Sequence, residues 1–343
     1  MITGSVKVLI VDDSLLFRTI LQRELSKDPG IRVIGSAGNT AEAEKMIFSL
    51  KPDVVTMDVE MPNMKGTDFL RKLIPVSPLP VVLVSSVSLG LFEALDAGAI
   101  DFVKKPGASP EDFSNFCTEL INKIKIAPSA RVIKKPVLRA PLPLPSLNGA
   151  DTKYHVIAIG ASTGGTEATL EILKLLPEDA PGVVVVQHMP AGFTKMYAER
   201  LNKLCKIKVS EAADGDRVRR GEALIAAGDK HMYLKKDASG YFVACRAGDK
   251  VSGHCPSVDV LFESVSRTAK GDAIGVILTG MGRDGASGLL SMRKAGAYTI
   301  GQDKQSAVVY GMPAVAMDIG AVMKQAPCQE IAGILISQLK IKK

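Results

Sequence analysis

Asp12 and Asp13 close the apolar run KVLIVDD at 7–13, and Asp58 closes DVVTMD at 53–58. Three carboxylates delivered to one place repel each other unless a cation sits among them. A hard, oxygen-rich set of this kind suits Mg²⁺, which keeps several waters and leaves room for a phosphoryl group. Ser85 lies in the run PVVLVSS at 80–86, and Lys105 follows IDFVK just before Pro106. They add a hydroxyl and a cation, each able to hold phosphoryl oxygens. Taken singly, Asp13 or Ser14 would be an ordinary helix cap and Asp58 the start of a loop. The combined set points to phosphate chemistry.

A second constellation lies further along. Ser162, in GASTGG, directly follows the apolar run YHVIAI and precedes the helical segment TEATLEILKLL. Amides and the helix dipole at such a place favour developing negative charge, although a lone serine there would more simply be a cap. His188 closes VVVVQH, and Asp284 lies in TGMGRDGASG just beyond DAIGVILT. Serine is a weak nucleophile until a histidine accepts its proton, and an aspartate holds the imidazole in the right tautomer and stabilises its charged form. The chain order Ser, His, Asp and the absence of GxSxG around Ser162 separate this set from the common serine hydrolases. A competing pattern overlaps it: Gly280, Gly282 and Gly285 spell GxGxxG, with Asp303 about 20 residues on, as in dinucleotide sites. That pattern would aim Asp284 at a pyrophosphate and leaves Ser162 and His188 without a role.

The elements that must carry these residues are short β-branched runs without strict alternation, as expected of strands buried on both faces, separated by segments of helical spacing. One such segment is Leu15, Thr19, Leu21 and Leu25; another is Ala41, Ala43, Met46, Ile47 and Leu50. Alternating strand and helix predict doubly wound parallel sheets, in which ligands gather at the carboxyl ends of the strands. At 343 residues the chain exceeds what one core usually supports. The proline-rich stretch SARVIKKPVLRAPLPLPSLNG forbids helix continuation and favours an extended chain. We therefore expect a first α/β domain over 1–125, a basic linker over 126–150 and a second α/β domain over 151–343.

The net charge of +7 invites a nucleic-acid reading. Its distribution argues otherwise: Arg131, Lys134, Lys135 and Arg139 stand in the linker without an acid, and no dense basic block follows. No run approaches the ~20 apolar residues that span a bilayer. The five cysteines form no CxxC pair, as expected of reduced thiols that mostly lie in cores. We thus expect a cytoplasmic chain with no membrane insertion and no nucleic-acid partner.

In its acidic cluster, Ser85 and Lys105, the stretch 1–125 resembles response-regulator receiver domains, which have a flavodoxin-like fold. The resemblance implies that Asp58 accepts phosphate from a chemotaxis histidine kinase and that Asp12 and Asp13, with Asp58, hold Mg²⁺. It also implies that Ser85 and Lys105 sense the phosphoryl group and that Phe102 is the aromatic switch position. The stretch Ser86 to Ala99 looks shorter than the family's usual fourth helix. GASTGG, QHMP, HCPSVDVLF and TGMGRDGASG resemble the signature segments of chemotaxis protein-glutamate methylesterases, with a Rossmann-like catalytic domain. That resemblance implies Ser162 as nucleophile, His188 as general base and acid, Asp284 as orienting group and the Met281 N–H as oxyanion donor. To His254 it assigns no role. It further implies demethylation of γ-methyl esters on methyl-accepting chemotaxis receptors, with methanol released, and deamidation of receptor glutamines. The esterase chemistry needs no cofactor, and phosphorylation is expected to activate it by loosening the receiver's cover over the catalytic edge.

Overall fold

A computed structural model describes residues 4–61, 66–86, 90–132, 147 and 154–340. The chain forms two compact units, Met1–Leu138 and Arg139–Lys343. Most of the 126–150 linker, from 133 to 146 and from 148 to 150, lies outside the described residues. Its first residues end a helix and make a 3₁₀ turn, Ala127–Ser129.

In the first unit the chain runs β1 (Val6–Val11), α1 (Leu15–Leu25), β2 (Ile31–Ala37), α2 (Thr40–Leu50), β3 (Val54–Met57), α3 (Gly66–Val76), β4 (Val81–Ser85), α4 (Gly90–Asp96), β5 (Asp101–Lys104) and α5 (Pro110–Ile126). The strands form one parallel sheet in the order β2-β1-β3-β4-β5. β3 and β4 are buried at every position, which explains their unbroken apolar runs. Ser14 caps α1, accepting from the Phe17 N–H at 3.3 Å, but Leu15 and Leu16 in the first turn are exposed. α4 is seven residues long; the residues just before it, 87–89, are outside the described set.

The second unit runs β6 (Val156–Ala161), α6 (Gly165–Leu173), β7 (Gly182–Gln187), α7 (Phe193–Leu204), β8 (Lys208–Glu211), β9 (Glu222–Ile225), β10 (His231–Asp237), β11 (Gly240–Arg246), α8 (Val258–Thr268), β12 (Ala273–Ile277), α9 (Ala286–Lys294), β13 (Tyr298–Gln302), α10 (Met312–Asp318), β14 (Lys324–Ala326) and α11 (Cys328–Leu339). Seven strands make a parallel sheet, β14-β13-β12-β6-β7-β9-β8, and β10 with β11 forms a separate antiparallel hairpin. The hairpin alternates less sharply than an exposed ribbon because Met232, Leu234 and Val243 enter the same core as Val258, Leu261 and Phe262 of α8.

Chain order reverses between β1 and β3 in the first sheet and between β6 and β12 in the second. Strands diverging from such a reversal open a crevice at their carboxyl ends, where ligands bind in doubly wound sheets. Asp12 and Asp58 follow the first pair, and Ser162 and Asp284 follow the second. Of the five cysteines, all free, only Cys245 and Cys328 are buried and the other three are half-buried, so the expectation of core thiols holds for two.

Candidate active site

Pairing within the second sheet fixes two of the catalytic candidates side by side. Ala161 pairs with Gln187, so Ser162 and His188 are the next residues on adjoining strands, and the His188 N–H donates to the Ala161 carbonyl at 3.1 Å. The buried Gln187 amide ties both: its Nε2 donates to the Ser162 carbonyl at 2.9 Å and to the His188 carbonyl at 3.2 Å. From the other side the Ser162 N–H donates to the Thr279 carbonyl at 3.0 Å. Ser162 does not cap α6. Gly164 occupies the cap position with a φ of +76°, a conformation glycine adopts at no steric cost, which leaves the serine hydroxyl uncommitted to the helix.

His188 Nε2 lies 2.7 Å from Asp284 Oδ2. Asp284 is almost wholly buried and accepts three further bonds: from Ser257 Oγ at 2.7 Å, the Val258 N–H at 2.7 Å and the Asp259 N–H at 3.0 Å. The last three donors are the cap and first turn of α8, so a helix N-terminus is spent on holding one carboxylate. Burial pushes the Asp284 carboxyl up, but the His188 bond and charge and the Asp259 and Ser257 donors outweigh it and hold it below the usual value. Beside it, burial, aided by the charge on Asp284, pushes Asp259 up. With Asp284 ionised, its bond to His188 requires the proton on Nε2. Nδ1 is then the acceptor; it is buried, and among the described residues nothing bonds to it. No hydrogen bond joins Ser162 Oγ to His188 among the described residues, as is common before substrate arrives.

The loop after β12 supplies the remaining parts. Gly280 packs so tightly that an added Cβ would stand 2.7 Å from Ser162 Cβ and 2.3 Å from Met312 Sδ. Its neighbour Met281 is exposed, and among the described residues its N–H meets no acceptor. Gly280→Ala should therefore push this loop off Ser162 and lower kcat by about 10²-fold with the fold retained. Turnover within a factor of about two would show that the close approach is not needed.

The dinucleotide pattern is closed by the same packing. A Cβ on Gly285 would meet Val258 at 2.4 Å, Asp284 is taken up by α8 and His188, and Asp303 accepts from the Ser306 N–H and hydroxyl. Three contributors escaped the sequence reading: Gln187, Thr279 and the α8 N-terminus. Thr279 Oγ1 accepts from the Val309 N–H at 2.9 Å and its own N–H donates to Gln302 at 2.7 Å, joining the loops around Ser162. The presence of a serine in HCPSVDVLF just before a helical run was the one available signal, an N-cap pattern.

In the first unit, one carboxylate oxygen each from Asp12, Asp13 and Asp58 lies within 4.8 Å of the others. Lys105 Nζ bridges Asp12 at 2.8 Å and Asp58 at 2.5 Å. Burial pushes the Asp58 carboxyl up, only partly offset by Lys105 and the Glu60 N–H, with the Asp12 charge adding to the rise. Burial pulls Lys105 down, but the two carboxylates hold its ammonium above the ordinary value. Three convergent acidic oxygens fit a divalent cation with an oxygen preference. The buried Ser85 hydroxyl donates to the Ser86 carbonyl at 2.8 Å, and the Phe102 ring is buried beneath Lys123.

Residues 157–335 match the family described as CheB methylesterase, and residues 8–114 match the response regulator receiver domain. The chain is 55% identical to the "Protein-glutamate methylesterase/protein-glutamine glutaminase 2" of Syntrophomonas wolfei, over 96% of each chain. It is 47% identical to the protein-glutamate methylesterase/protein-glutamine glutaminase of Sulfurimonas denitrificans, over 99% of this chain and 100% of that one. Among solved structures, the Thermotoga maritima CheB methylesterase catalytic domain superposes with a TM-score of 0.53 at 37% identity, covering 54% of this chain and 98% of that one.

Proposed function

The chain belongs to the CheB methylesterase family, with a receiver domain ahead of the esterase, and from that premise we infer how its own residues act. It is a receiver-regulated hydrolase that removes methyl groups from glutamate γ-methyl esters of chemotaxis receptors and deamidates receptor glutamines. The receiver spans 1–125 and the catalytic domain 151–343. The observation that carries the chemical assignment is the Asp284 carboxyl bonded to His188 next to Ser162, at the strand reversal of the second sheet.

Ser162 Oγ attacks the γ-carbonyl carbon while its proton passes to His188 Nδ1, and Asp284 holds the resulting imidazolium by its Nε2–H. The carbonyl oxygen, now an anion, meets the Met281 N–H. Collapse breaks the bond to the methoxy oxygen, which takes the proton from His188 and leaves as methanol. Water, deprotonated by His188, then attacks the glutamyl-serine ester, and Ser162 leaves with the proton, giving a free carboxylate. With a glutamine side chain the leaving group is ammonia.

In the receiver, an Asp58 oxygen takes the phosphoryl group from the phosphohistidine of the chemotaxis kinase as the N–P bond breaks. Asp12, Asp13 and Asp58 would hold Mg²⁺, which when bound offsets the charge on the transferring group. Lys105, already seated between Asp12 and Asp58, is placed to follow the new phosphoryl oxygens, with Ser85 and Phe102 carrying the change outward.

The test is methanol release from membranes bearing methyl-labelled receptors, with and without a small phosphoryl donor and Mg²⁺. Release that rises with the donor supports both halves. Salt-dependent nucleic-acid binding with no ester hydrolysis would overturn the enzymatic half. Asp58→Asn should abolish the rise while leaving the basal rate within about twofold; a donor response that survives in this variant would move the phosphorylation site elsewhere.

A further inference from the structure

We propose that His254 is a positioning residue for the esterase reaction: its ring forms a flat wall that keeps the His188 imidazole aligned with Asp284. The proposal rests on the triad assignment above. The two rings stack with centroids 3.6 Å apart and planes 13° from parallel. The backbone around His254 is organised to hold this contact.

Val251 and His254 exchange both backbone N–H···O bonds at 3.0 Å across a tight turn. Ser252 and Gly253 take φ values of +53° and +85° to close it. The loop is then pinned at both ends by one buried imidazole: His231 Nδ1 accepts from the Ser257 N–H at 3.2 Å, and its Nε2 donates to the Asp249 carbonyl at 2.8 Å. Ser257 in turn donates to Asp284. The turn bearing His254 and the helix start that holds Asp284 are therefore parts of one braced segment, 249–259, which grips the His188–Asp284 pair on two sides.

The physical need is plain. His188 has one side-chain hydrogen bond, at Nε2, and its Nδ1 has no partner among the described residues. A single bond leaves the ring free to tilt about that contact, and tilting carries Nδ1 away from Ser162. A flat neighbour against the face removes this freedom without competing for either nitrogen. It also covers that face of the ring, so that the imidazole keeps one orientation through the attack.

The test compares the full chain with His254→Ala, His254→Phe and His254→Leu. Methanol release is measured on methyl-labelled receptor membranes in the presence of a small phosphoryl donor and Mg²⁺, and proton NMR follows the low-field Nε2–H signal of His188. The expectation is that Ala lowers kcat by about 10²-fold with KM within about twofold and broadens the NMR signal, while Phe recovers at least about a third of kcat and the signal. Should the Ala variant not fold, Leu, which fills the space without a flat face, replaces it in the comparison. A kcat within about threefold of wild type in Ala or Leu, a defect confined to KM, or a Phe variant no better than Ala would each overturn the proposal. If wild type itself released no methanol, the triad assignment would fall, and the NMR comparison would still decide whether His254 orders His188.

Discussion

Ser162→Ala should lower methanol release by about 10⁶-fold, to the level that oxyanion contacts and binding alone sustain. The size follows from what the hydroxyl supplies. Without Oγ there is no covalent intermediate, and His188 can only activate water in a site shaped for a bonded acyl group. Among the described residues the Ser162 side chain makes no hydrogen bond: its carbonyl and N–H do the structural bonding, to Gly165, Gln187 and Thr279. The variant should therefore melt within a degree or two of wild type, by the usual effect of a substitution that touches no packing or hydrogen bond. It should also accept phosphate at Asp58 at an unchanged rate, since the receiver site is built from other residues. A variant that retains more than about a hundredth of the wild-type rate would rule out Ser162 as nucleophile.

Asp284→Asn should cost about 10⁴-fold in kcat and, unlike the serine change, should also cost stability. The carboxylate accepts four donors, two on each oxygen. An amide keeps one oxygen and turns the other into a donor. Placed against His188, the NH₂ forces the imidazole to present a lone pair at Nε2, so its proton moves to Nδ1, where it can no longer accept from Ser162. Placed the other way, it confronts the Ser257 hydroxyl and the Asp259 N–H. Either orientation leaves a buried α8 donor without an acceptor, at about 1–3 kcal/mol. A second readout is pH. Because Asp284 is held below the usual carboxylate value, its contribution to stability is full above the unfolded-state value and is lost as pH falls through the lowered folded value. The asparagine variant should lack this part of the acid-side decline in melting temperature. A variant with normal kcat and an unchanged acid limb would show that Asp284 neither orients His188 nor supports α8.

The positions of Ser162, His188 and Asp284 at strand ends were legible because each follows a short apolar run and precedes a glycine- or proline-bearing turn, and a parallel sheet brings such ends to one edge. Asp12, Asp58 and Ser85 likewise follow short apolar runs that lie in one parallel sheet. Strand limits differ from the expected ones by a few residues, since hydrogen bonding, not apolar character, sets where a strand stops. The hairpin of β10 and β11 was not foreseen. Its sequence, HMYLKKD and GYFVACR, carries a mixed pattern because only the first half of β10 and the second half of β11, which pair with each other, are buried.

By itself, then, the sequence determined the two α/β units, the acidic cluster and the residue types of the triad, because these depend on local apolar runs and on what ends them. Only the tertiary structure decided that Asp284 is gripped by α8, that its partner on His188 is Nε2 and that His254 lies flat on the catalytic ring. Those contacts join residues 25 or more positions apart through backbone amides and ring faces, and neither an amide's direction nor a ring's plane is written in residue identity. They exist only once the strands have crossed, the helices have packed and each chain segment has been turned toward its neighbour.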